Sequence, residues 1–196
     1  MNTTRQPRIL VLGLLICGAV HGATYPVKIS ATNPRILVDQ ANTPFLIVGD
    51  SPHSLIVNLS TSDAASYLAD RAAHGFNSLW VNLLCIRPQE RRTNASLLDG
   101  TKPFTNTLSG TVYYDLTTPN GAYFAHVDEV IRMAAANEIE VILDPIETAG
   151  WLQTALRNGP TRCREYGRFL GSRYRSFPNL VWLSGKRPAD VERCGR

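Results

Sequence analysis

Three polar residues stand at the ends of short apolar segments: Asp50 after Phe45-Leu46-Ile47-Val48-Gly49, Asn82 within Ser78–Leu84, and Asp144 after Glu140-Val141-Ile142-Leu143. His53, Glu147 and Trp151 follow a few residues into the next segments, and Cys85 and Ser184-Gly185 hold comparable positions. Carboxylates and amides hydrogen-bond hydroxyl groups, and an indole offers a flat apolar face, so this set suits a polyhydroxylated ring such as a pyranose or furanose. Each residue also has a structural reading. Asp50 suits a turn cap, Asn82 can satisfy backbone groups, and Trp80 and Trp182 read as core. Acyl transfer by Ser51, His53 and Asp144 is a poorer fit, because no GxSxG elbow is present. An aldolase would need a Schiff-base lysine at a strand end, yet only Lys28 and Lys102 precede the last eleven residues and neither ends a core strand. Cys85, Cys163 and Cys194 are too widely spaced for a zinc pattern, and no metal or organic cofactor is implied.

Such residues work together only if parallel strands carry them to one end of a sheet. Arg35–Asp39 and Pro44–Asp50 read as two strands around a turn at Gln40–Thr43, the second a continuous apolar run expected to be covered on both faces. A helix follows, capped by Thr61 or Ser62, with Ala65, Leu68, Ala69 and Ala72 on its apolar face and Gly75 after its end. Ser78–Leu84 is the next strand. The stretch from Arg87 to Asn120 lacks periodicity and reads as a long loop. A second helix over Ala122–Asn137 presents Phe124, Val127, Ile131 and Ala134, and strand Glu140–Asp144 stops at Pro145. A third helix, about Thr161–Arg175, buries Tyr166, Phe169, Leu170 and Tyr174 and turns its arginines to solvent. Strand Asn179–Leu183 closes the pattern. Alternating apolar strands and amphipathic helices predict an α/β fold with a parallel sheet and right-handed crossovers. A barrel and an open doubly wound sheet both satisfy this order. The first strand leads into Gly49-Asp50-Ser51-Pro52-His53 rather than GxGxxG, and no Walker motif occurs, which favours the barrel.

Composition narrows the partners. Between Thr24 and Gly185 there are 14 basic and 14 acidic side chains, so the overall excess of +4 comes from the two ends and supplies no case for nucleic acid or a membrane surface. Residues 1–23 read as a signal peptide: Arg5 and Arg8 precede the apolar run Ile9–Val20, and cleavage falls after Gly22 or Ala23. The run is too short to span a bilayer, and Ile16 ahead of Cys17 argues against lipidation. A secreted or periplasmic location is expected. One domain fits the length, and no repeat or linker divides it.

Several segments carry a resemblance to a known family. They are Phe45–Ser51, Tyr67–Asn77, Tyr123–Asp128, Tyr166–Tyr174 and Asn179–Gly185. Together they resemble the apiosidase-like catalytic domain family of glycoside hydrolases, over about Ile29 to Gly185. The resemblance implies a (β/α)8 barrel, here a partial TIM barrel of about four βα units preceded by a short β-hairpin. It further implies secreted enzymes acting on plant-type glycans, with a pair of carboxylates for glycosidic cleavage. Related sequences read Gly-Asp-Thr and then Trp at the end of the first strand, where this chain has Gly49-Asp50-Ser51 and His53.

A second departure follows Gly185. The resemblance places an acid/base Asp after the fourth strand, where Lys186-Arg187 stands, and a guanidinium does not deliver a proton near neutral pH. Deleting one adenine from codons AAA CGA would restore Asn-Asp, so residues 186–196 are expected to be an aberrant tail, out of frame. Resequencing that finds one intact frame to Arg196 refutes this hypothesis. The expectation is therefore a secreted, glycoside hydrolase-like chain that is truncated and inactive as written. The alternative is a non-catalytic carbohydrate-binding half-barrel. Asp50, His53, Asn82, Asp144, Glu147 and Trp151 are the expected sugar-binding residues, and exposed strand edges invite self-association.

Overall fold

The computed structural model describes residues 23–85 and 94–184. Its strands are β1 (Lys28–Ile29), β2 (Leu37–Val38), β3 (Gly49–Asp50), β4 (Ser78–Asn82), β5 (Glu140–Asp144) and β6 (Leu180–Trp182). Its helices are α1 (Leu55–Asn58), α2 (Thr61–Ala73), α3 (Gly121–Ala136) and α4 (Thr148–Tyr174). Strands β3-β4-β5-β6 form one parallel sheet in that order, each neighbour reached by a helical crossover. This is a run of βα units curved as part of a TIM barrel, with a short antiparallel hairpin ahead of it. The hairpin pairs β1 with β2, and Pro44 meets Val38 only in an isolated bridge, so the expected strand over 44–50 shrinks to its last two residues.

Strand parity separates two environments. Leu79 and Val81 of β4 and Val141 and Leu143 of β5 point to one face and are buried beneath the helices. Ser78, Trp80 and Asn82 alternate with them, in register with Glu140, Ile142 and Asp144, and face what is the lumen in a closed barrel. Both central strands have neighbours on each side, which is why their sequences run apolar without a clean polar alternation.

The helices begin where polar caps permit. Ser60, not Thr61 or Ser62, caps α2: its backbone is extended and its hydroxyl accepts the Asp63 amide. Ala64 and Leu68 are the deeply buried side chains of α2, whereas Ala69 is exposed. Asn120 caps α3 by accepting the Ala122 amide, and Phe124, Val127, Ile131 and Ala134 are buried as their spacing predicts. The third helix starts well before Thr161. Gly159, at φ 69°, and Pro160 break α4 into two pieces, and the first piece occupies residues read from sequence as loop. Arg173 donates two hydrogen bonds, at 2.9 and 2.8 Å, to the Asp128 carboxylate and ties the second piece to α3.

The described part of the long β4–α3 connection, residues 94–120, has no named strand or helix but is closely packed. Leu97, Phe104 and Leu116 are buried, and bridges join Phe104 to Pro119 and Thr107 to Tyr114. Asn158, in the last turn before the α4 break, accepts the Leu116 amide at 2.9 Å and donates to the Tyr114 carbonyl at 2.8 Å.

Among the described residues, the sheet has two open edges. Ahead of β3, Leu46, Ile47 and Val48 are 78, 48 and 42 % exposed, against the expectation that this run is covered on both faces. Its backbone is held from one side only. Asn77 donates from Nδ2 to the Leu46 carbonyl and accepts the Val48 amide at Oδ1, both at 2.8 Å. On β6, Val181 and Trp182 are 38 and 42 % exposed.

Candidate functional site

Asn82 and Asp144 are direct partners across β4 and β5 at the C-terminal ends of the strands, and both side chains take the lumen side. Each residue is 1 % exposed. Among the described residues, neither the amide nitrogen nor the amide oxygen of Asn82 has a hydrogen-bond partner. Asp144 accepts the Ile146 amide at Oδ1, 3.2 Å away, which fixes the carboxylate over the turn into α4. The backbone locks the same corner: the Asn82 amide donates to the His53 carbonyl and the Leu83 amide to the Asp144 carbonyl. His53 lies against Trp80, ring centroids 4.7 Å apart, and Trp80 stands two residues before Asn82 on the same face of β4. Glu147 is the N-cap residue of α4, half-buried, three residues past Asp144, and makes no side-chain cap bond.

Asp50 leaves this group. It is in register with Leu79, and its side chain therefore points to the helix face, opposite Asn82 and Asp144. There it accepts the Tyr67 hydroxyl at 2.7 Å and faces Arg71 at 3.5 Å, while its other oxygen accepts the Ser51 amide at 2.7 Å. The Tyr67 hydrogen bond first, then the Ser51 amide and the Arg71 charge, hold this carboxyl below its ordinary range despite burial that opposes them. The expectation of one pocket shared by Asp50, Asn82 and Asp144 is thus corrected to a pair without Asp50.

Trp151 is also displaced. It sits in the first piece of α4, 2 % exposed, with its ring stacked on Tyr114 at 5.9 Å and 13° and with Phe104 6.4 Å away. An indole whose face is covered by another ring offers no platform to a sugar, and the expected stacking role is withdrawn. Cys85 is buried among core side chains. Arg187 and the tail over 186–196 lie outside the described residues, as does the leader over 1–23 apart from Ala23.

Glu140 is a lumen residue that the sequence reading passed over. It opens β5 beside Ser78, at the end of the strands away from Asn82 and Asp144, and is 2 % exposed with no partner on either carboxylate oxygen among the described residues. Burial alone pushes its carboxyl up to about 7. An acid opening an otherwise apolar strand was the available signal. Among the described residues, no group of three or more His, Cys, Asp or Glu side chains is placed to hold a metal ion. Nor is any of their helices long and apolar enough to cross a membrane.

The ends of parallel strands in a partial barrel, furnished with an amide, a carboxylate and aromatic rings, are where a barrel enzyme keeps its site. A family model described as "Apiosidase-like, catalytic domain" matches residues 31–193. The chain belongs to this family. Solved structures agree on the fold. A glycoside hydrolase superposes with a TM-score of 0.64 at 22 % identity, covering 87 % of this chain and 36 % of that one. A glycoside hydrolase family 5 protein from Bacteroides vulgatus gives 0.65 at 21 % identity, covering 80 % of this chain and 31 % of its own. The β-mannanase of the blue mussel Mytilus edulis gives 0.54 at 13 % identity, covering 85 % and 46 %. The apiosidase-like chain thus spans about a third of the two glycoside hydrolases. No curated protein matches it.

Proposed function

We propose that this apiosidase-like chain is the sugar-holding N-terminal half of an exported glycoside hydrolase acting on plant-type glycans, and that by itself it binds sugar without cleaving it. The observation that carries this reading is the Asn82–Asp144 pair at the strand ends, with a buried amide whose donor and acceptor are both unsatisfied. A buried amide left unpaired costs about 1–3 kcal/mol, which a ring hydroxyl at that position recovers. Glycosidic cleavage requires two carboxyls on either side of the scissile bond. Here Asp144 and Glu147 issue from one strand-to-helix connection, and Asp50 faces away. That arrangement favours binding over turnover. The leader-like run Ile9–Val20 supports export, and residues 24–185 are read as the half-barrel with 186–196 as a foreign tail.

Calorimetric titration of the chain with neutral and acidic plant oligosaccharides, with reducing-end release followed in the same samples, tests the proposal. Binding without release is expected, and Asn82→Ala is expected to weaken it about tenfold, equivalent to one hydrogen-bonding group. Affinity indifferent to Asn82→Ala, or binding by none of the sugars, overturns it. Release of sugar by the chain alone overturns the non-catalytic part only.

A further inference from the structure

A groove of about 600 Å³ opens between the β4–α3 connection and the second piece of α4, within the size range of small-molecule sites. Both walls are built from the described residues, and neither is an edge of the sheet. One wall is an irregular antiparallel ribbon. The Asn120 amide donates to the Pro103 carbonyl at 2.8 Å, Thr105 to Thr118 at 2.9 Å, Asp115 to Asn106 at 3.0 Å and Leu108 to Tyr113 at 2.8 Å. Asn158 clamps this ribbon at Tyr114 and Leu116, and Asn120 Nδ2 holds the Lys102 carbonyl at 2.8 Å. The groove is therefore formed before a ligand arrives, and little ordering entropy opposes binding.

Its chemistry is polar and positive. Lys102 and Arg162 line it from the two walls. Lys102 is exposed and makes no ion pair among the described residues. Arg162, its side chain 48 % exposed, approaches Asp115 from Nε at 3.5 Å and makes no side-chain hydrogen bond among the described residues. Asp115 is already engaged: its carboxylate accepts the Thr117 hydroxyl at 2.7 Å and amide at 3.0 Å. Burial opposes its charge, but those two bonds and then Arg162 hold the carboxyl below its ordinary range, so it stays ionised. Two cations and one carboxylate leave a single net positive charge. Asn106, Thr107 and Ser109 also line the groove, and none of their side chains makes a hydrogen bond among the described residues. Tyr114 gives a ring face to Trp151 and Phe104 is buried, so recognition falls to the polar groups. A dianion such as phosphate is a poor match. The net charge is too small to balance it, and Pro160, at the start of the second piece of α4, has no amide hydrogen to add to an anion cradle.

We propose that this groove is a second carbohydrate site, which takes a singly charged acidic sugar. Lys102 and Arg162 hold the acidic group, and Asn106, Thr107 and Ser109 hydrogen-bond the ring hydroxyls. A uronate and a sulfate ester share that chemistry. The site is separate from Asn82 and Asp144 and does not depend on them. Its carriers, the β4–α3 and β5–α4 connections, leave the C-terminal ends of neighbouring strands, so the acidic unit sits on the same rim of the sheet as that pair.

Calorimetric titration of the full chain at pH 7 and low salt compares trigalacturonate with its neutral methyl ester, galactose 6-sulfate with galactose, and inorganic sulfate. One acidic sugar is expected to bind at least tenfold more tightly than its neutral counterpart, and the tighter of the two names the source of the charge. Lys102→Gln and Arg162→Gln are each expected to weaken it about tenfold with unchanged circular dichroism, since both side chains are exposed. Asp115→Asn keeps the oxygen that accepts Thr117 and removes the charge; it is expected to tighten binding roughly threefold, a gain that damage to the ribbon would not produce. Asn82→Ala is expected to leave it unchanged. Equal affinity for the neutral counterparts, indifference to both Gln variants, or weaker binding by Asp115→Asn overturns the proposal. So does inorganic sulfate bound as tightly as the sugars, because the groove would then hold charge without sugar. Binding lost with Asn82→Ala but with neither Gln variant puts the acid at the strand ends, which overturns this inference and leaves the Asn82 reading standing. Binding of neither acidic sugar overturns it as well.

Discussion

Replacing Glu140 by Gln should make the protein more stable, and only on the alkaline side. The carboxyl lies in a nearly closed environment with no hydrogen-bond donor on either oxygen among the described residues, and burial raises it from the ordinary 4.5 to about 7. Every tenfold weakening of an acid corresponds to about 1.4 kcal/mol, which sets a ceiling of about 3 kcal/mol. Water entering from the open lumen side lowers this, and a realistic figure is about 2 kcal/mol. The sign follows from proton binding. Between pH 4.5 and 7 the folded chain holds a proton that the unfolded chain has released, so stability falls as pH rises through this window and the loss is complete above it. Glutamine has the same shape and no charge, so its curve is flat where that of the acid descends. Urea unfolding followed by tryptophan fluorescence, at one protein concentration and at half-unit steps from pH 5 to 8.5, measures both curves. They should run close together at pH 5 and stand about 2 kcal/mol apart at pH 8. Parallel curves, or a Gln variant weaker at every pH, would show that Glu140 has a partner in solution and refute the reasoning.

Two further outcomes bear on the reassigned residues. Asp50→Ala should cost about 1 kcal/mol by removing the Tyr67 and Arg71 contacts, while leaving sugar titrations unchanged; because this carboxyl is depressed, its contribution is present above the ordinary 3.8 and is lost as pH falls below it, as acid unfolding curves should show. Asn158→Ala should cost about 2–3 kcal/mol by orphaning the Leu116 amide and the Tyr114 carbonyl, and amide exchange over residues 94–120 should accelerate more than over β4 or β5.

The elements most legible in the sequence were those with neighbours on both sides. Strand β5 keeps the bounds its apolar run suggested, and β4 and α3 differ only at their ends. The β3 run was misjudged because an apolar string reads the same whether or not a second strand covers it, and here one side is open. Gly159-Pro160 broke the helical pattern, so the first piece of α4 passed for loop and Trp151 passed for a loop aromatic. The site was legible in part. Asn82 and Asp144 fall at strand ends by simple counting, but the face each takes depends on register, and a single residue of slip reverses it. Asp50 looked equivalent to them in sequence. Its pairing with Leu79 rather than Ser78 is a tertiary fact.

The tie between Asp50 and α2 bears on how the chain assembles as it is made. Tyr67 and Arg71 lie 17 and 21 residues from the carboxylate they hold. Closing so short a loop costs little entropy, and Asn77 fastens the Leu46–Val48 backbone within the same stretch. The first strand, its helix and the start of the second strand therefore carry their own short-range fastenings, and in refolding followed by pulsed amide exchange this segment is expected to gain protection before β6.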